Sequence, residues 1–372
     1  MKKSKSIYAV LFVSCLFFTT FSLPYVLAAE DYWVSKTSMN EARAYLGIEV
    51  VNGKIFAIGG DQGSIIGNVM NAVGMTSQTT NILEEYVPSL DKWTLKTPMP
   101  TARARFGTAV YENKIYCIGG YSATIDNETN YFDLHINEVY DPTTDTWETK
   151  ASLTTARHCP ATNMVNGKIY VIGGYSITSH SILNINEVYD PASNTWATRS
   201  PPPLQIGGSA SVVLDNKIYT LGQNSSAWDI FIQVYDPATD IWIIKGSTPV
   251  SSFASAALTS GLIAPQRIYF FDENRTDVYN PVDDSWVEGT PAQTARPVAG
   301  AAVIDDLIYV VSGRTGQWGY MTFMYPSALV EQYSPLGYIP EFPSWTILPL
   351  FLVGTLSLII FKRKVSLVKI WC

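Results

Sequence analysis

Apolar residues along this chain fall in short runs broken by polar turns, the spacing of β-strands rather than of helices. The run Ala161–Val165 meets Asn166-Gly167 and resumes as Lys168–Ile172. Asn-Gly between two apolar runs predicts a tight hairpin, because a type I′ turn needs positive φ at both central positions. A variable loop follows, then a third strand at Glu187–Tyr189. A turn through Asp190, Pro191 and Asn194 leads into a fourth strand carrying Trp196.

This four-strand unit recurs. NGKIYVIGGY (166–175) is repeated as NGKIFAIGGD (52–61) and ENKIYCIGGY (112–121), with weaker echoes in DNKIYTLGQ (215–223) and DDLIYVVSG (305–313). The paired glycines are Gly59 and Gly60, Gly119 and Gly120, Gly173 and Gly174. A second phrase follows each first one, with Tyr86, Tyr140, Tyr189, Tyr235 and Tyr279 placed shortly before Trp93, Trp147, Trp196, Trp242 and Trp286. Four antiparallel strands repeated in tandem predict the blades of a propeller. Counting the glycine phrases and their degenerate forms, at 59, 119, 173, 222, 272 and 312, predicts six blades. The sixth unit has a third strand with Tyr333 but no tryptophan after it, whereas Asp31-Tyr32-Trp33-Val34 precedes the first unit. An N-terminal strand around Trp33 is therefore expected to complete the last blade and close the ring.

The joint motif of paired glycines, Tyr-Asp-Pro and a following Trp resembles the kelch repeat, from about Asp31 to Pro335. Glycines and aromatics then read as architecture: the glycines let inner strands crowd together, and the Tyr and Trp fill the layers between blades. A phosphate-cradling role for the glycines is disfavoured, because no helix N-terminus follows them. The expected fold is an all-β, six-bladed kelch-type propeller, plus a C-terminal transmembrane helix.

Function is then expected beside the repeat. The loops between second and third strands vary from about 21 residues after Asp61 to a few after Asp272, and long loops on a rigid ring are where binding sites are carried. Arginine recurs 16 residues before the first glycine, as Arg43, Arg103, Arg157 and Arg296, with Ile206 and Ala256 at that position in units four and five. Ringing the channel mouth with His158, Asp61, Tyr121 and Tyr175, these arginines could hold a carboxylate or an acidic peptide, since guanidinium donates in a planar fork. The alternative is a structural network, because Glu84, Glu138, Glu187, Gln233, Asp277 and Glu331 stand two residues before each tyrosine. The resemblance implies partner binding on this same face and no catalysis. The alternative it offers is a sugar-modifying enzyme similar to sialic acid mutarotases, with Arg157 and His158 nearest to such a site, or to galactose oxidase-like copper enzymes. His135, His158 and His180 are the only histidines and lack metal-ligand spacing, so neither a metal nor another cofactor is expected.

The chain ends and the charge set the expected partners. Residues 1–29 combine a basic start, an apolar run and small residues at Ala28 and Ala29, as a signal peptide does. Residues 30–337 form the propeller. Residues 338–344 contain Pro-Glu-Phe-Pro and resemble the PEF-type sorting signals of archaeal surface proteins, which implies a sortase-type processing enzyme. Residues 345–361 are an uncharged apolar run read as a membrane span, and 362–372 a basic cytoplasmic tail. The expected setting is thus a single-pass cell-membrane protein with its propeller outside, binding a protein or glycan. Of 25 Lys and Arg, three lie in the first six residues and four after Phe361, while all 32 Asp and Glu lie between. So acidic a region excludes nucleic acid. Asn127, Asn224 and Asn274 begin possible glycosylation sequons. Cys117 and Cys159 allow at most one disulfide within the propeller.

Overall fold

The two-residue turns form as their chemistry demands. Positive φ occurs at both central residues of Asn52-Gly53, Glu112-Asn113, Asn166-Gly167, Asp215-Asn216 and Asp305-Asp306, and each closes the first hairpin of a blade. The computed structural model describes residues 30–63, 78–126, 128–208, 210–223, 229–251, 254–273, 275–315 and 325–338.

Six four-stranded antiparallel sheets follow one another. Blade 1 comprises Gly47–Val51, Lys54–Ile58, Leu83–Val87 and Lys92–Lys96; blade 2 comprises Gly107–Tyr111, Lys114–Ile118, Asn137–Asp141 and Thr146–Lys150. Blade 3 uses Ala161–Val165, Lys168–Ile172, Asn186–Asp190 and Thr195–Arg199. Blade 4 uses Ser211–Leu214, Lys217–Gln223, Ile230–Asp236 and Ile241–Ser247, and blade 5 Ser255–Leu258, Ile268–Asp272, Arg275–Asn280 and Ser285–Gly289. Blade 6 takes three strands from Gly300–Ile304, Leu307–Val311 and Val330–Ser334, and its outermost strand, Tyr32–Lys36, from the start of the chain.

One stitch recurs in every blade and explains the aromatic spacing. The repeat tyrosine faces the tryptophan across the outer hairpin, with ring centroids 4.8 Å apart for Tyr235 and Trp242 and 5.1 Å for Tyr140 and Trp147. The buried tyrosine hydroxyl donates to an Asp or Asn five residues on, at 2.6 Å in Tyr86–Asp91, Tyr140–Asp145, Tyr189–Asn194 and Tyr235–Asp240, and likewise in Tyr279–Asp284. That acceptor is left-handed in each case; Asp91, Asp145, Asn194 and Asp240 also take a backbone N–H from the neighbouring blade's edge, as in Thr97 to Asp145 at 2.9 Å, and Asp284 takes the Lys245 ammonium instead. In blade 6 the same parts come from the far end of the chain. Tyr333 stacks on Trp33 at 4.9 Å and donates to Asp31 at 2.6 Å, and Asp31 accepts from Thr290 N–H at 2.6 Å.

Around the axis the first strands are too close for side chains at some positions. A Cβ on Gly107 would lie 1.9 Å from the Thr162 hydroxyl oxygen, and one on Gly300 would lie 2.2 Å from Ile48. Substituting Gly107 with Ala is expected to cost about 1–3 kcal/mol by overpacking, read as a lower urea midpoint at unchanged slope. The first strands enclose a cavity of about 370 Å³ lined by Thr108, Thr162, Asn163, Ser211 and Ser255, with Glu49 as the ionisable side chain among the described lining residues. Burial pushes the Glu49 carboxyl up to about 7, opposed by the Thr108 hydroxyl and the Val50 N–H. Below its ordinary value of 4.5 the carboxyl is neutral folded or unfolded. Between 4.5 and about 7 only the unfolded chain gains by ionising, so stability falls as pH rises. Glu49→Gln is expected to remove about 2 kcal/mol of that decline, checked by urea unfolding at pH 4.5 and pH 8.

Two expectations need revision. Unit five lacks a two-residue hairpin: residues 259–267 join its first two strands, anchored by Asp306, which accepts the N–H groups of Ser260, Ile263 and Ala264 at 2.5–2.9 Å. A count of 16 residues therefore places Ala256 inside the innermost strand instead of at the mouth. The C-terminal transmembrane helix is not supported, and the single-pass cell-membrane placement is corrected with it. No helix of the described residues is long and apolar enough to cross a membrane; the helical content named among them is the short 3-10 turn Pro88–Leu90, because apolar positions there alternate with the period of strands. The stretches read as leader, PEFP linker, span and tail lie outside the described residues, apart from Tyr338, as do Asn127, Asn224 and Asn274. Cys117 and Cys159, which allow at most one disulfide, are both free thiols.

Candidate binding face

The glycine pairs position everything at the mouth. Gly59 and Gly60 have φ of 57° and 110°, and Gly119 and Gly173 are likewise left-handed. A Cβ on Gly59 would lie 2.7 Å from the Arg103 carbonyl oxygen and one on Gly119 2.8 Å from that of Arg157. The second glycine of each pair then donates its N–H to the next blade, Gly60 to Arg103 and Gly120 to Arg157 at 2.9 Å, Gly174 to Ile206 at 2.8 Å. The motif is a seam between blades.

The repeated arginines lie beneath this seam. Arg43, Arg103 and Arg157 are wholly buried and Arg296 nearly so. Arg43 meets Glu84 at 2.5 Å, Arg103 meets Glu138 at 2.8 Å, Arg157 meets Glu187 at 2.5 Å, and Arg296 pairs with Glu331. Other donors of these arginines reach backbone carbonyls, as Arg43 does at Gly59 (2.9 Å) and Ala57 (3.0 Å), whereas Arg103 Nε meets the Met99 sulfur at 3.3 Å and the Nε atoms of Arg157 and Arg296 have no hydrogen-bond partner among the described residues. Burial lowers the pKa of all four guanidinium groups, and the glutamate partners act against it. Blade 4 shows the neutral version. Ile206 replaces the arginine, and Gln233 bonds the Leu204 backbone through both ends of its amide, at 2.9 and 3.1 Å.

The groups that reach the mouth sit one and two residues beyond each arginine. Ala44, Ala104 and His158 bridge to Asp61, Tyr121 and Tyr175, the residues that follow the glycine pairs. Tyr45, Arg105, Cys159 and Val298 are then left-handed, with φ of 53–57°, a conformation non-glycine residues hold only where the surroundings impose it. Arg105 N–H donates to the Tyr45 carbonyl at 2.9 Å and Cys159 N–H to the Arg105 carbonyl at 2.7 Å, so the mouth is laced from blade 1 to blade 3.

Side chains converge above this lacing. The Arg105 guanidinium lies 3.9 Å from the Tyr45 ring centre and that of Arg314 4.9 Å, both over the ring. Asp61 accepts from Arg314 at 3.3 Å and from the Tyr121 hydroxyl at 3.2 Å. The Arg105 guanidinium donates to the sulfur of Cys159 at 3.8 Å, and the Nε atoms of Arg105 and Arg314 have no hydrogen-bond partner among the described residues. Burial raises the Cys159 thiol despite Arg105 beside it, so the thiol is neutral. His158 is buried between Tyr121 and Tyr175, with ring centres 5.5 and 5.3 Å away. Its Nδ1 meets Asp133 at 2.7 Å, and Asp133 also accepts Ile177 N–H at 2.6 Å. The histidine thereby pins the ribbon Tyr121–Asp126/Glu128–Asp133 to the loop of blade 3.

Of the residues expected at the mouth, Asp61, Tyr121, His158 and Tyr175 come together there, and the four arginines lie within their blades. Sequence reasoning passed over Tyr45, Arg105, Arg314 and Asp133. The signal for Tyr45 and Arg105 was available: within a fixed phrase, the position two after the arginine varies as Tyr, Arg, Cys and Val.

Comparison with known proteins agrees with this architecture. A family model described as the KLHDC2/KLHL20/DRC7 Kelch-repeats domain matches residues 47–271, more than half of the chain. The chain is 34% identical over 125 residues to the kelch-like protein terF of Aspergillus terreus, covering 33% of this chain and 27% of terF. It is 32% identical over 97 residues to the human kelch repeat and BTB domain-containing protein 12, covering 26% of this chain and 16% of that protein. These curated relatives are thus matched over little more than a quarter of their length at most. Among solved structures, that of YjhT superposes with a TM-score of 0.61 at 12% identity, covering 78% of this chain and 95% of YjhT, a likeness of fold.

Proposed function

Because this chain belongs to the kelch-repeat family, we propose that it is a non-catalytic binding module whose loop-rich face receives an acidic segment of a protein partner at Tyr45, Arg105 and Arg314. The observation that carries this reading is the pair of guanidinium groups over one tyrosine ring, of which Arg314 meets the carboxylate of Asp61 and Arg105 meets the sulfur of Cys159. Guanidinium groups held in this way can grip a carboxylate in a planar fork, and the flanking Tyr121 and Tyr175 offer apolar faces with polar tips. On a chain whose net charge is −7, positive charge concentrated at the mouth favours a defined acidic contact over general attraction of polyanions. The buried His158–Asp133 pair acts as a clamp in this reading, which favours binding over sugar chemistry at that position.

An array of acidic peptides, each paired with its Asn/Gln counterpart, tests the proposal. Binding should require the carboxylates, weaken with salt and be lost in the Arg105→Ala/Arg314→Ala protein. Equal binding of both peptide sets, or binding indifferent to the two arginines, sinks it.

A further inference from the structure

Hairpin register aligns the innermost strands of the six blades residue by residue. Opposite Phe56, Tyr116, Tyr170, Tyr219, Tyr269 and Tyr309 stand Glu49, Ala109, Asn163, Val212, Ala257 and Ala302. Five of these six are buried and meet the following blade, four by apolar packing and Asn163 through the Ser211 hydroxyl at 2.8 Å. Glu49 is instead half-buried, on the wall of the axial cavity. The preceding residues ring the axis in two halves: Thr108, Thr162 and Ser211 on blades 2 to 4, and Ile48, Ala256 and Ala301 on blades 1, 5 and 6. One side of the cavity is therefore hydroxylic and the other apolar.

Glu49 also lacks the partner that the buried repeat glutamates have. Glu84, Glu138, Glu187 and Glu331 each meet an arginine, whereas the groups acting on Glu49 are the neutral Thr108 hydroxyl and Val50 N–H, and burial raises its pKa. The strands packed against it bring no available cation. Gly300–Ile304 has no ionisable side chain, and Gly107–Tyr111 has Tyr111. Lys54 and Lys114 pair with Glu85 and Asp141 at 3.0 and 3.3 Å. Tyr116 and Cys117 are neutral, both raised by burial, and Arg103 beyond Cys117 is held by Glu138.

We propose that the axial cavity is a binding site for a small primary amine, with the ammonium group on Glu49 and the Thr108 oxygen and the alkyl chain against Ile48, Ala256 and Ala301. A carboxylate turned to a low-dielectric space is stabilised by a cation beside it, and an ammonium group brings three donors to a wall of acceptors. A calcium site takes six to eight oxygen ligands, which one carboxylate in a half-apolar ring does not supply. At about 370 Å³ the cavity has room for a short alkyl chain. Arg105 and Arg314 oppose entry of a cation at the mouth, so the amine would enter on the hairpin side, past the exposed lining residue Met164.

Isothermal titration calorimetry of the full chain with n-butylammonium chloride tests this, at pH 8 and pH 5 and constant ionic strength, with potassium chloride and butan-1-ol as the other probes. Butylammonium is expected to bind at pH 8 and at least about tenfold more weakly at pH 5, where the Glu49 carboxyl is protonated. It should not bind detectably to Glu49→Gln. Its binding should raise the melting temperature of the parent chain at pH 8 and leave that of Glu49→Gln unchanged. Butan-1-ol and potassium should not bind. No binding of butylammonium at pH 8, equal affinity at the two pH values, binding that survives Glu49→Gln, or equal binding of butan-1-ol or potassium would each overturn the proposal.

Discussion

Deleting residues 30–36 is expected to leave a protein without a cooperative thermal transition, and Trp33→Ala alone to cost about 3–5 kcal/mol. The loss is large for the segment's size because that segment serves three roles together. Trp33 packs on Tyr333 and Phe271 at 4.9 and 5.5 Å, and its indole donates to the Thr290 carbonyl at 2.8 Å. Asp31 accepts from the Tyr333 hydroxyl and from Thr290 N–H. The strand also covers the edge of Val330–Ser334, which its removal exposes. Asp31→Ala should have a smaller effect than Trp33→Ala, since it removes the stitch and leaves the aromatic packing. Differential scanning calorimetry of the three proteins checks this order. A deletion that melts like the parent chain would mean that the ring is closed by other contacts.

The second large effect concerns the buried ion pairs. Arg157→Ile is expected to destabilise by about 3–5 kcal/mol, because Glu187 is left as an uncompensated buried charge. Adding Glu187→Gln should recover at least about half of that loss, since it recreates the arrangement this chain already uses in blade 4. There Gln233 bonds the Leu204 carbonyl. The Thr155 carbonyl, which now accepts from Arg157 at 2.9 Å, occupies the corresponding place in blade 3 and would receive the new amide. Recovery should be incomplete, because the Val171 carbonyl also loses its Arg157 donor. Urea unfolding of the parent chain, both single variants and the double variant forms the thermodynamic cycle. No recovery would show that the salt bridge holds the blade in a way the neutral pair cannot.

Much of the ring could be read from sequence, for identifiable reasons. Turns such as Asn166-Gly167 announce themselves through the φ they require, and each Tyr–Trp pair sits at fixed spacing because it spans one outer hairpin. The stray Trp33 could be placed by counting strands. The mouth was harder to read, because what repeats there is conformation. Tyr45, Arg105, Cys159 and Val298 share left-handed backbone and no chemistry. Arg314 reaches Asp61 only after the ring has closed, from a position 253 residues away. The arginines could be located but their partners had to be weighed, since a guanidinium near a glutamate in sequence says nothing of which way it points. Spacing failed in blade 5, where Ala256 was assigned by count and the longer connection at 259–267 displaced it.

In the proposed function the buried arginine framework and the arginine pair at the mouth have separate roles. Titrating an acidic peptide selected from the array against the parent chain, Arg105→Ala/Arg314→Ala and Arg157→Ile/Glu187→Gln tests this separation in one measurement. The mouth variant should bind at least about tenfold more weakly, and the framework variant within about twofold of the parent. Affinity that follows Arg157 and Glu187, and is untouched by Arg105 and Arg314, would contradict it.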